Sequence, residues 1–197
     1  MLPFCAKGLI ALKSTEFMEF LHVLENLKCN TRHGWTHTLR HESVAEHTFR
    51  VACMAMLLED DFPELDMAKV IKMCLIHDWG EAVTGDIPSF LKTESDEATE
   101  LDAIHSLTAM LPERAPALDA LFAEMEERKT PEAKFYKALD RLEAVIQHNE
   151  APLSTWIELE RELNLTYGVD DCAPFPFLAE LRELSNAETR AKLAQGE

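Results

Sequence analysis

His77 and Asp78 stand side by side in the apolar stretch LIHDWGEAVTGDIP, and an imidazole beside a carboxylate in such a place demands a partner. Away from water, an unpaired charge or ring nitrogen is costly. A divalent metal satisfies both groups at once, because it accepts a neutral imidazole and a carboxylate together. Two further residues are placed to complete a set: His47 in ESVAEHTFRV and Asp140 in FYKALDRLEAV. The resulting two-nitrogen, two-oxygen set suits a borderline divalent ion such as Mn, Co, Fe or Zn better than a thiolate-seeking one. On an octahedral ion, it leaves positions for a water and a substrate oxygen. Such an ion acidifies its water and polarises a phosphoryl group, so the expected chemistry is hydrolysis.

Taken singly, two of these residues have blander readings. His47 reads as a core histidine bonded to a backbone carbonyl, and Asp140 as a helix-surface carboxylate beside Lys137 and Arg141. The His-Asp pair next to Cys74, Leu75 and Ile76 resists that treatment. Glu81 follows Asp78 by three residues and His77 by four, which on a helix puts all three on one face. A carboxylate there can act as general base for the attacking water or as proton donor to the leaving oxygen. Its other reading is a hydrogen bond to a ligand residue or a helix end. Asp86, in TGDIP, either forms a turn or reaches back into the site.

The elements that must carry these residues are helices. One is expected from Glu16 to Lys28, with Phe17, Phe20, Leu21, Leu24 and Leu27 on one face. The histidine-rich connector TRHGWTHTLRHE reads as a solvated loop with Gly34 as its flexible point. Ser43 opens the next helix, with Glu46 completing a capping box, and that helix runs to about Glu59 with His47, Val51 and Met54 inward. A third spans about Asp66 to Asp78, and Gly85 and Pro88 mark the turn after it. Further helices are expected from Glu94 to Leu111, as a shorter one delimited by Pro112 and Pro116, from Thr130-Pro131 through Leu139 and Ile146, and past Pro152 to about Leu163. The fold class is all-α: a single domain over 1–197, with a core over about 15–165 and a tail over 166–197 that either docks through its phenylalanines or frays.

Bulk properties narrow the partners. A chain of 197 residues, 47% apolar, holds one substantial core. Its formal charge of −17 repels nucleic-acid polymers and anionic membranes, so a small phosphorylated substrate can bind only where a metal and local cations overturn the field. The cysteines Cys5, Cys29, Cys53, Cys74 and Cys172 are odd in number and form no C-x-x-C pair, which points to a reducing, cytoplasmic setting. The opening MLPFCAKGLIAL lacks the basic region and long apolar core of a signal peptide.

Four motifs occur in order: RHGW at 32–35, ESVAEHTFRVA at 42–52, LIHDWGEAVTGDIP at 75–88 and EAKFYKALDRLEA at 132–144. With them the chain resembles the HD-domain 5′-deoxynucleotidases, the YfbR-like and HD-domain-containing protein 2-like metal-dependent phosphohydrolases. The resemblance implies a helical HD-domain bundle that hydrolyses deoxyribonucleoside 5′-monophosphates to nucleoside and phosphate. It implies a divalent metal cation (Mn, Co, Mg, Fe or Zn) on His47, His77, Asp78 and Asp140, with Glu81 as catalytic carboxylate. It places Arg32 against phosphate or sugar, Trp35 against the deoxyribose edge, and a second ion on Glu81, Asp86 and the carbonyl of Ile87. It also implies a homodimer. The arginine and tryptophan here are separated by His33 and Gly34, whereas the bacterial branch has them adjacent, so sugar selectivity does not transfer directly.

Three other readings compete. Another small phosphomonoester could be the substrate, or the scaffold could hold two irons and activate oxygen. The second requires extra histidines between His77 and Asp140, where only His105 occurs. A nucleotide-binding protein with a decayed site is the non-enzymatic alternative, and the complete ligand set argues against it.

Overall fold

The structure, a computed structural model, describes residues 11–196, so Cys5 and the reading of the opening segment lie outside the described residues. Helix α1 (Ser14–Leu24) passes into a short α2 (Asn26–Cys29). At the junction, the Lys28 N–H bonds the Glu25 carbonyl, an i→i+3 step that interrupts the expected single helix. Phe20 and Leu27 are buried, but Phe17 and Leu21 are each 42% exposed, so the apolar face is narrower than expected. The connector expected to be a loop is instead a two-stranded antiparallel ribbon, β1 (Thr31–Trp35) and β2 (His41–Ser43). Thr31 pairs with Ser43 and Trp35 with His41, with an irregularity in the register between them. Strand alternation is too short here to read from sequence, and His33 and His41 are half-buried rather than solvated.

Ser43 then caps α3 (Val44–Leu57) as anticipated: its hydroxyl accepts the Glu46 N–H, and the Glu46 carboxylate accepts the Ser43 N–H at 2.9 Å. Asp66 caps α4 (Met67–Ile76), and this helix ends one residue before His77. From there the chain turns tightly by i→i+3 bonds (Trp79 N–H to Ile76 O, Glu81 N–H to Asp78 O) into the short α5 (Glu81–Thr84). The expectation that His77, Asp78 and Glu81 lie on one continuous helix is thus corrected. Gly80 explains part of the turn: a Cβ there would sit 2.6 Å from Glu100 Cγ and 3.1 Å from the Glu100 carbonyl, so only glycine lets α6 (Glu94–Ala109) come this close.

Helix α7 (Ala115–Glu127) leads to α8 (Pro131–Glu150), which opens with Thr130 accepting the Ala133 N–H. Helix α8 is the axis of the molecule and packs against α3, α4 and α7. Phe135, Leu139, Leu142 and Val145 are all at most 1% exposed, and Val51, Val70 and Met73 on α3 and α4 are fully buried. Helices α9 (Glu158–Thr166), α10 (Val169–Cys172) and α11 (Pro176–Gln195) complete the bundle. The tail segment left open between docking and fraying forms this last helix, with Leu178, Arg182, Ser185, Asn186 and Thr189 buried. Phe175 packs on Phe135 while Phe177 is exposed. Apart from the ribbon, the described residues form an all-α architecture.

Candidate functional site

Three elements converge on one point. Helix α3 presents His47, the end of α4 presents His77 and Asp78, and the middle of α8 presents Asp140. His47 Nε2 lies 3.3 Å from His77 Nε2, 3.0 Å from Asp140 Oδ1 and 3.9 Å from Asp78 Oδ2. His77 Nε2 lies 3.1 Å from Asp78 Oδ2 and 3.6 Å from Asp140 Oδ1. The other ring nitrogens settle the tautomers. His77 Nδ1 is 2.8 Å from the Cys74 carbonyl, which can only accept, and His47 Nδ1 is in short contact with the Glu143 carboxylate. Both Nδ1 atoms are therefore donors, and in the neutral rings both Nε2 atoms carry lone pairs. In that state two nitrogen lone pairs and two carboxylates face one another, an arrangement that calls for a cation among them, either a proton or a metal ion. The donor set fits a divalent metal on chemical grounds.

The titration behaviour says the same. Burial disfavours charging His77, but Asp78 and Asp140 outweigh it and push its pKa up to about 10. For His47, burial and Arg32 oppose charging, and Glu143 with Asp140 overcomes them to raise its pKa. Burial works to raise Asp140, yet Lys137 and the two histidines hold it well below the usual carboxylate range. Lys137 Nζ donates to Asp140 Oδ2 at 2.6 Å. The site draws positive charge from every available source.

A cavity of about 190 Å³ opens beside this cluster, with Arg32, Asp78, Glu81, Asp86, Lys137 and Asp140 in its wall. Arg32 spans two carboxylates, its Nη1 3.4 Å from Asp78 Oδ2 and its Nε 3.5 Å from Glu42 Oε2. Glu81 is 6% exposed, and its buried Oε2 has no hydrogen-bond partner. Burial, Asp78 and Asp86 together push its pKa up to about 10. Asp86 is raised by burial against the pull of Arg32. Asp86 and Ile87 both reach the cavity, so the turn reading of TGDIP and the site reading describe one loop.

Other expectations fare differently. Trp35 is not in the cavity wall: its ring stacks on His41 at 3.9 Å, and its carbonyl accepts from Gln147 at 2.8 Å. The irregular pairing of the ribbon turns it aside, and His33 lines the cavity instead. Among the described residues, two triplets bring ligand atoms within 4.8 Å of one another: His47 with His77 and Asp78, and Glu42 with His47 and Glu143. Neither contains Asp140, which approaches the two histidines at 3.0 and 3.6 Å without joining a triplet, nor Glu81 or Asp86, the residues expected around a second ion. His105 is exposed on α6. Sequence reasoning missed Glu143 and Glu42 altogether and took Lys137 for a surface neighbour. Glu143 had a signal, as a carboxylate three residues after Asp140 within the apolar run Leu139, Leu142, Val145 and Ile146. Glu42 had none, because its burial depends on the ribbon.

Comparison with known proteins bears on this arrangement. A family described as HD domain matches residues 24–174. Human "5′-deoxynucleotidase HDDC2" is 35% identical over 138 residues, covering 68% of this chain and 67% of that protein. "5′-deoxynucleotidase hdd1" of Schizosaccharomyces pombe is 31% identical over 180 residues, covering 87% and 84%. A crystal structure of a "predicted metal-dependent phosphohydrolase" from Magnetospirillum magnetotacticum superposes with a TM-score of 0.72 at 28% identity, covering 92% of this chain and 96% of that one.

Proposed function

With the chain belonging to the HD-domain family, we propose that it is a metal-dependent phosphohydrolase that cleaves deoxyribonucleoside 5′-monophosphates to nucleoside and phosphate. The observation that carries the proposal is the convergence of His47, His77, Asp78 and Asp140 lone pairs on one point in the wall of a cavity. These four would hold the ion, of which Mn, Co, Mg, Fe and Zn are the candidates. A divalent cation there acidifies water and neutralises charge on the phosphoryl group. Glu143 holds the His47 ring, and the Cys74 carbonyl holds that of His77, so each Nε2 is aimed before binding.

Arg32, Lys92 and Lys137 bring cations to one cavity of a protein with a net charge of −17, which supports an anionic substrate at this place. Arg32 releases its loose hold on Asp78 and Glu42 to grip phosphate oxygens. Glu81 is the proton carrier: its raised carboxyl holds a proton that it delivers to the leaving 5′-oxygen. Glu81, Asp86 and Ile87 border the same cavity, so a second, weaker ion on Glu81, Asp86 and the Ile87 carbonyl would bind there only with Glu81 deprotonated. The exposed position of His105 takes support from a di-iron oxygenase.

Exposed Phe49, Met56 and Leu57 on one side of α3 support a homodimer, which sedimentation would reveal as twice the chain mass. Cys29, Cys53, Cys74 and Cys172 are free thiols, in keeping with a cytoplasmic setting. Among the described residues, no helix is long and apolar enough to cross a membrane. The direct test is phosphate release from ribo- and deoxyribonucleoside 5′- and 3′-monophosphates by metal-stripped protein given each ion in turn. Ion-dependent release confined to the 5′-deoxy compounds is expected. Release from none of them overturns the reading.

A further inference from the structure

We propose that a small apolar annex beside the metal-binding cavity is the nucleobase subsite, with Phe90 and Tyr167 as its stacking faces. This assignment rests on the nucleotide reading above. The annex, about 90 Å³, is walled by Phe90, Ala144, Val145, Leu163 and Tyr167. Phe90, Ala144 and Tyr167 also border the main cavity, so the annex is its continuation rather than a separate hole. The polarity changes along that path. Carboxylates, Arg32 and Lys137 surround one end, and at the other aromatic and aliphatic side chains predominate, with Ser89, His148, Glu160 and Asn164 between them. A nucleotide has the same gradient, from charged phosphate through a polar sugar to the flat apolar faces of its base.

Helix α8 sets the spacing. Lys137, Asp140, Ala144 and His148 share one face of it, and Ala144 stands about 6 Å along the axis from Asp140, room for one sugar ring. The small side chain of Ala144 leaves the passage open. Tyr167 is held firmly. Its carbonyl accepts from buried Arg182 Nε at 2.9 Å, and its ring lies 5.3 Å from the Arg141 guanidinium carbon. The next residue, Gly168, has φ +73°, and a Cβ there would be 2.8 Å from Arg141 Cβ, so the chain passes over Arg141 only as glycine. Phe90, also in the wall, meets the His33 ring edge-on at 5.7 Å. His33 and His148 both lean on buried Glu160, at 2.8 Å and 3.4 Å, which ties β1, α8 and α9 together around the annex. The Asn164 amide, which could otherwise read a base edge, is spent on Asn149 Oδ1 and Thr189 Oγ1.

The test compares a 2′-deoxynucleoside 5′-monophosphate with 2-deoxyribose 5-phosphate, which lacks the base. Phe90 lies in the loop between α5 and α6, and its replacement leaves the core intact. Phe90→Ala and Tyr167→Ala are each expected to lower the ratio of kcat/KM for the nucleotide over the sugar phosphate about tenfold, with Tyr167→Phe restoring it. Equal losses on both substrates would assign these residues a purely structural role and overturn the proposal. Calorimetry with the free deoxynucleoside provides a reading independent of turnover. Binding to the wild type, weakened about tenfold by Phe90→Ala, is expected. If the wild type hydrolyses neither phosphate yet binds the nucleoside through Phe90, the annex stands and the hydrolysis reading falls. If it hydrolyses both and Phe90→Ala leaves the ratio unmoved, the annex falls and hydrolysis stands.

Discussion

Glu81 shows what burial does to a single carboxyl. Desolvation, reinforced by Asp78 and Asp86, pushes its pKa up to about 10, and Oε2 has no partner to spend that proton on. If the proton goes to the leaving oxygen, the need for it depends on how poor the leaving group is. Glu81→Gln should lower kcat on a deoxynucleotide by about 10²- to 10⁴-fold, and by far less on p-nitrophenyl phosphate, whose leaving group departs without help. Equal losses on both would move Glu81 to the attacking water. Glu143 poses a different question, since it touches His47 and reaches Arg50 Nε at 3.7 Å. Glu143→Gln should weaken metal affinity about 10- to 100-fold by loosening the ring, read by titrating metal into stripped protein. At this scale the ligand types were legible in the sequence because His77-Asp78 is an expensive pair to bury without a purpose. Glu42 and Lys137 were not, since nothing local to either says that the chain folds over it.

Among the elements, α3 was the most legible. Its start is written in Ser43 and Glu46, and both halves of the capping box form. Ser43→Ala should cost about 1 kcal/mol by denaturant titration. The Arg40 hydrogen bond, then the Ser43 N–H, hold Glu46 down to a pKa of about 2, against 4.5 for the free group. Lowered in the folded state, it stabilises the fold in full above the unfolded value. That stability is lost as pH falls through the folded value. Between pH 4.5 and about 2, Glu46→Gln should therefore narrow its stability deficit against the wild type, and a deficit unchanged across that window would refute the assignment. The ribbon and the turn through His77–Gly80 were illegible for related reasons. The ribbon has one bulged pairing and too few alternating residues to show a period. The turn is closed by i→i+3 bonds at Trp79 and Glu81, and its close approach to Glu100 at Gly80 is a contact between distant segments.

For the whole molecule, α11 is the element that closes the bundle and steadies the annex. Arg182, 2% exposed, donates to the carbonyls of Tyr167 and Asn164 and to Asn186 Oδ1. Arg182→Ala leaves the buried Asn164 carbonyl without this donor, at a cost of about 1–3 kcal/mol, and frees the half-buried Tyr167 carbonyl, so it should lower the thermal midpoint and raise KM together. A midpoint shift with KM unmoved would separate the tail from the site. By itself the sequence determined the helical class, most helix starts and the proposal of four residues that the structure brings toward one point. Those follow from local periodicity, capping chemistry and the cost of burying charge. Only the tertiary structure decided that α4 stops short of His77, that Trp35 turns away while His33 enters the cavity, and that Glu143 and Lys137 brace His47 and Asp140. Each of those depends on contacts between segments far apart in the chain, where close packing between elements overrides what any one segment prefers.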